Sequence, residues 1–244
     1  MAKQVVNNAK LLYSAYDLSG DHNRIALSLK RDTPDSTTFG ATARARIAGL
    51  HSVELTSDGY WEGGDAGVDD VLFDNLGTAT RVLTVSASDG TKGNIAYFCP
   101  GVSLSYAPGP GSVGGIKAFT AAAYSEGYRA VRGTILGSGA KTATGNGTAY
   151  NLGAASATQY LYGALHCTAA SGSGPPGITV KIQSDTAENF PSAEDRISFS
   201  ALAAIGAQWA TPVTGAITDT WWRATWTITG GDPSFTIWVS MGII

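Results

Sequence analysis

Short runs in which every second residue is apolar recur along most of the chain, and this period constrains the fold more than any other feature. A two-residue repeat sends alternate side chains to opposite faces of an extended strand, so each run reads as a strand with one buried face. In Arg24–Lys30 (RIALSLK), Ile25, Leu27 and Leu29 share a face. Ser52–Tyr60 alternates around Val53 and Leu55, and Arg81–Ser88, Asn94–Tyr106 and Ile116–Tyr124 behave alike, with turn residues between them. Further strand-like runs follow at Gln159–Thr168, Ile178–Gln183, Arg196–Ser200, Trp221–Thr229 and Ser234–Ser240. One segment departs from the pattern. Asp69–Gly77 opens on two acids, carries an apolar stripe and closes on glycine, as a short helix does. The expected class is mainly β, with one short helix and sandwich or jelly-roll architecture.

The 244 residues fit one large or two ordinary domains, and 43% hydrophobic content suffices for packed cores. Only 14% of residues are charged, which favours a surface partly covered by neighbours. Gly137–Gly147 (GSGAKTATGNG) is small, polar and glycine-rich, the composition of a linker or wide loop. Beyond it the composition changes: five of the six tryptophans lie in the last 36 residues. The expected division is therefore a first domain over 1–137, a linker over 138–148, and a second, jelly-roll-like β-sandwich over 149–244.

A formal net charge of -3 gives no global basic field for holding nucleic acid. Cys99 and Cys167 read as two reduced, buried thiols. Met1–Asn8 lacks the basic-then-apolar pattern of a leader, and no run approaches the ~18 apolar residues of a membrane helix. The expectation is a soluble protein made in the cytosol.

Residue types that carry catalysis are sparse. His22 lies in a turn-like Gly-Asp-His-Asn context, His51 begins a strand, and His166 adjoins Cys167 in a strand, where alternation separates their side chains. No spacing matches a zinc site. Gly109–Gly114 (GPGSVG) fits the dinucleotide fingerprint by letters alone, because it joins two strands where the mechanism needs a helix. Asp58, Glu62, Asp65, Asp69, Asp70 and Asp74 form an acidic stretch without Lys or Arg, but not with the alternating ligands of a calcium loop. The simplest reading gives Asp69 and Asp70 to the helix N-terminus and leaves the rest solvated. A further reading fits assembly, with the acids Glu62, Asp65, Asp69 and Asp70 as candidate contacts to the bases Arg31, Arg44 and Arg46 of a neighbouring subunit. Among the tryptophans, Trp222 and Trp226 alternate along one strand and are expected to fill a core. Trp221 points the other way, and with Trp209 is a candidate interface residue. No catalytic, cofactor or metal site is expected, and so no enzyme.

Ordered motifs in the first half resemble the major tail proteins that form the tail tube of long-tailed bacteriophages. They are Leu18-Ser19-Gly20, Ile25–Asp32, Thr37-Thr38-Phe39-Gly40 through Arg44, and Gly49–Leu55. Gly59–Glu62, the helix at Asp69–Leu76, Gly93–Phe98 and Pro108–Gly114 continue the series over about residues 10–137. The resemblance implies a tube domain of two β-sheets, one short helix and a long loop, whose sheets join between subunits into a closed inner barrel. It implies self-assembly into stacked rings, hexamers in preference to trimers, around a conduit through which DNA passes without sequence-specific contacts. It further implies other tail proteins, such as the tape measure and tail terminator, as partners, a virion location, and neither a cofactor nor a membrane. A fragment Met1–Leu136 is then expected to form rings alone, and the second half resembles the extra sandwich domains that some tail proteins carry outside the tube. A carbohydrate-binding or decoration β-sandwich protein of the virion is the alternative.

Overall fold

The computed structural model describes residues 8–109 and 111–244; the stretch up to residue 7, on which the reading of no leader falls, and Pro110 of the glycine motif lie outside the described residues. In chain order the elements are β1 (Lys10–Tyr13), β2 (Tyr16–Asp17), β3 (His22–Arg31), β4 (His51–Tyr60), α1 (Val68–Asp74) and β5 (Arg81–Ser86). There follow β6 (Ile95–Gly109), β7 (Ala118–Ser125), β8 (Val131–Lys141), β9 (Gly145–Asn146) and β10 (Tyr150–Asn151). The last are β11 (Tyr160–Asp185), β12 (Glu194–Ser198), β13 (Gly206–Trp209), β14 (Val213–Thr214) and β15 (Trp221–Ile243). The fold is thus mainly β with one short helix among the described residues, as its alternation requires.

The division of the chain differs from the expected one. A first compact unit takes the chain up to Gly20, Arg81–Cys99 and Val131–Ile244; a second takes Asp21–Thr80 and Pro100–Ala130. The expected linker is not one: Gly137–Lys141 is the second half of β8 and Gly145–Asn146 is β9. A fragment ending at Leu136 would stop inside β8 and lack both β11 and β15, the long strands of the first unit.

The first unit is organised by the antiparallel ribbon of β11 and β15. The start of β11 pairs with the end of β15, from Leu161↔Ile243 to Ser171↔Ser234, and the end of β11 with the start of β15, from Gly177↔Thr229 to Asp185↔Trp221. Register shifts separate the two halves. There the chain reads Gly-Ser-Gly-Pro-Pro-Gly on one strand and Gly-Gly-Asp-Pro on the other. Gly230 has φ +103, and a Cβ on it would come within 2.8 Å of Pro176 Cα, so a side chain is barred twice over. The ribbon bends here and folds back on itself. Leu161, Leu165 and Cys167 from one half consequently share a core with Ile178, Val180 and Ile182 from the other, as Trp222 and Ala224 do with Phe235 and Ile237. The result is a β-sandwich. β8, β13 and β14 extend one layer and β9, β10 and β12 the other.

Trp226 explains why a glycine-rich stretch is ordered here. Its ring is buried in the sandwich core, and Cβ positions at Gly137 and Gly145 lie 4.0 and 3.6 Å from it, so both residues sit at van der Waals distance from the indole. The indole N–H donates to Ala143 O at 2.9 Å, and Lys141 Nζ lies 4.7 Å from the ring centroid. One large side chain therefore holds residues 137–145 by van der Waals contact, a hydrogen bond and a cation–π contact.

The strand order continues from β8 through β6 and β5 to β1, and Leu12 of β1 meets Trp238 of β15, so this sheet curls over the outer face of its own layer. His166 is closed in beneath the curl. Its Nδ1 lies 2.7 Å from Ser14 O, which can only accept, so Nδ1 carries the proton and Nε2 accepts the Thr84 hydroxyl at 2.7 Å. Cys167 points the opposite way, into the sandwich core.

In the second unit the strand order is β3–β4–β7–β6. Val53, Leu55, Ser57 and Gly59 alternate on the buried face of β4. Helix α1 buries Val68, Val71 and Leu72, and Phe119 packs between the rings of His22 and Tyr106.

Two outcomes follow for the first unit. Trp226→Ala is expected to destabilise it by about 3–5 kcal/mol in chemical denaturation, with the 137–145 amides losing hydrogen-exchange protection. Burial lowers the His166 pKa from 6.5 to about 4, against the Ser14 carbonyl and the Asp17 charge, which raise it. The unfolded chain therefore binds a proton that the folded chain refuses between those values. Stability is full above pH 6.5 and falls, by on the order of 3 kcal/mol, as pH drops through that window. Urea midpoints measured from pH 7 to 4 should show this slope, and His166→Gln should flatten it.

Candidate functional site

The most exposed part of the second unit is the connection between β3 and β4. Residues 32–50 are solvent-exposed except for the half-buried Ser36 and Gly49. The connection continues the hairpin as a two-stranded arm: Gly49 N–H donates to Asp32 O, Ile47 N–H to Pro34 O and Ser36 N–H to Ala45 O. Asp35 and Arg46 form an isolated bridge, and the Thr37 hydroxyl accepts the Ala45 N–H at 2.9 Å. At the tip the Ala41 N–H donates to Thr38 O, closing a four-residue turn whose third residue, Gly40, has φ +86. Such a turn requires glycine at that place, and it lifts Phe39 entirely into solvent, at 110% relative exposure.

Phe39 belongs to a wider pattern. Among the described residues thirteen large apolar side chains are exposed, and all but Ile95, Tyr160 and Ile205 lie in the second unit. The ten include Ile47 and Leu50 on the arm, Phe73 and Leu76 at the helix, and Val113 and Ile116 in the β6–β7 turn. Scattered exposed apolar groups are ordinary, but their concentration on one unit marks a surface suited to partners. β3, paired only with β4 among the described residues, adds a free strand edge guarded by Arg24, Lys30 and Arg31.

The charged candidates fall into two groups. Arg31 is exposed at the end of β3, its Nε donating to Gly49 O at 3.0 Å, and Arg44 and Arg46 are exposed on the returning half of the arm. Glu62 and Asp65 are exposed beyond the far end of β4, and Asp70 accepts the Ala66 N–H at 3.0 Å. Asp69 is engaged within its own unit: the Tyr106 hydroxyl donates to it at 2.6 Å and, with Trp61, holds its carboxyl below the ordinary range. The same contact, after desolvation, pushes the Tyr106 hydroxyl well up. Asp58 is paired with Arg24 at 3.2 Å, and Lys30 with Glu54 at 3.3 Å. No cluster of three or more metal-ligating side chains occurs among the described residues.

No protein-family model matches the chain, and no curated protein matches it in sequence. Among solved structures it is similar to the sheath/tube terminator of the PVC extracellular contractile injection system, at 13% identity and TM-score 0.44, over 54% of this chain and 97% of that one. It is similar to a chain in the tail of an empty gene transfer agent particle, at 20% identity and TM-score 0.38, over 48% of this chain and 92% of that one. The Dit protein of SPP1, a hub of the adsorption apparatus in phages infecting Gram-positive hosts, matches at 11% identity and TM-score 0.37, over 97% of this chain and 99% of that one.

The tryptophans separate by alternation. Trp222 and Trp226 are buried in the sandwich core, the former donating to Gly153 O at 2.8 Å. Trp209 is half-buried against Phe98 and Tyr162, each at 5.8 Å between centroids. Trp221 is half-buried at the start of β15. Two residues without a sequence signal join the site. Arg129 is brought beside the end of β3 by the β4–β7 pairing, and Phe73 is held outward at 68% exposure on α1 while Val71 and Leu72 turn in.

Proposed function

We propose that the chain is a structural, non-enzymatic subunit of a phage tail tube that assembles with itself into stacked rings, hexamers in preference to trimers, forming the conduit for genome delivery. The observation that carries this reading is the concentration of exposed apolar side chains on the second unit, with Phe39 raised on an arm and a free strand edge beside it. A surface of this kind is stable in water when copies cover one another, and ring closure removes the exposed edges. Heterologous contacts between identical subunits either close or propagate, and stacked rings do both. The ordered motifs that resemble major tail proteins supply the particular assembly, and Thr37–Gly40 of that series forms the tip of the arm.

In this reading Arg31, Arg44 and Arg46 of one copy face Glu62, Asp65 and Asp70 of another, setting register more than affinity. Asp69, tied to Tyr106, holds α1 in place instead. Tape measure and terminator proteins cap and fill the tube, its place is the virion tail, and a net charge of -3 suits a lumen in which DNA slides. A glycan platform built from the tryptophan cluster has less to work with. Trp222, Trp226 and Trp238 are buried and Trp209 is packed, leaving the half-buried Trp221.

Phe39→Asp in the full chain tests the reading by sedimentation velocity. Burying a phenylalanine contributes about 1.5–3 kcal/mol, so the substitution should weaken self-association by roughly 10- to 100-fold per contact while the circular dichroism stays unchanged. Self-association equal to that of the unsubstituted chain would remove the arm from the interface and with it the main support for the reading.

A further inference from the structure

A cleft of about 330 Å³ opens in the second unit where β3 ends and β4 begins. Leu29 and Val53 supply its apolar lining, and Lys30, Arg31, His51 and Arg129 surround them. Lys30 is paired with Glu54, whereas Arg31 and Arg129 form no ion pair among the described residues. Two guanidinium groups beside an apolar pocket suit a ligand that is apolar at its centre and acidic at its margin.

The same chain carries such a ligand. The segment from Glu62 to Asp74 holds Glu62, Asp65, Asp70 and Asp74 without ion pairs among the described residues, and its helix presents Phe73 to solvent. The acidic segment starts beyond Tyr60 and the cleft lies at His51, so the ten residues of β4 separate its first acids from the cleft by ~30 Å. Helix α1 then runs back along the sheet, with Asp69 held by Tyr106 and Leu76 bridging Ser103. The acidic and basic patches therefore occupy different parts of one unit and describe a heterologous contact, in which the acids of one copy meet the bases of the next.

Resting on the self-assembly reading above, we propose that the cleft between β3, β4 and Arg129 receives the acidic, Phe73-bearing segment Glu62–Asp74 of a second copy. Phe73 enters between Leu29 and Val53, and Asp70 and Asp74 meet Arg31 and Arg129. Arg129, absent from the sequence-based charge set, becomes a specificity residue of the contact, and Asp69 stays with Tyr106.

The test uses two full-length chains, one with Leu29→Cys and the other with Phe73→Cys, mixed under mild oxidation; the native Cys99 and Cys167 are buried. A disulfide joining the two introduced thiols, identified by peptide mass spectrometry, is the expected product. Adding Arg31→Glu and Arg129→Glu to the first chain should cut its yield at least tenfold. Adding Asp70→Lys and Asp74→Lys to the second chain as well should restore it. Absence of that disulfide, or a yield indifferent to both charge reversals, overturns the proposal. Tubes seen by electron microscopy without the cross-link would defeat this docking and leave the tail-tube reading standing. A charge-dependent cross-link in particles that never exceed dimers would support the docking and defeat the tube.

Discussion

Continuous pairing of β11 with β15 is the constraint on which the first unit depends. A ribbon of this length exposes two faces along its whole run, and its apolar residues need a partner surface. Glycines and prolines at mid-length let the ribbon fold back, so that it supplies both layers of its own sandwich. The interior then has room for Trp222 and Trp226, and the glycine-rich residues 137–145 become the small partners of a large ring. The outer face of one layer remains uncovered by the fold-back. The curl of β6, β5 and β1 closes it, with His166 bonded to both Ser14 and Thr84.

The second unit balances its surface differently. Its sheet and helix bury one face around Val53, Leu55, Val71 and Leu72, yet ten large apolar side chains remain outside. An arm of nineteen residues that buries almost nothing of itself sets its loss of conformational entropy against only a few exposed backbone hydrogen bonds; in the proposed assembly, contact with another copy offsets the rest. The charges follow the same logic. Those that pair within the chain, such as Arg24 with Asp58 and Lys30 with Glu54, lie along the strands, while the unpaired ones gather at the arm and around the helix.

The sequence made local structure legible and long-range arrangement largely not. Period two identified β3, β4, β5, β6 and β7, and the acid-first stripe identified α1. The halves of β11 and of β15 read as separate strands, because Gly172–Gly177 and Gly230–Pro233 carry turn chemistry; nothing local shows that pairing resumes across the bend. The second half of β8 read as linker for a related reason. Its small residues have no apolar signal of their own and acquire a role only opposite Trp226. Unit boundaries were hidden because each unit is assembled from separated stretches, and periodicity reports only on neighbours in sequence. At the candidate site, residue type was visible but partnership was not. Asp69 belongs to Tyr106 and Asp58 to Arg24, whereas Arg129 joins Arg31 only once β4 and β7 have paired.

Electron microscopy of the purified full-length chain across a concentration series tests the central claim most directly. Self-assembly through the second unit predicts annuli that stack into hollow tubes as concentration rises, with six-fold end views. Uniform small particles at every concentration would contradict it.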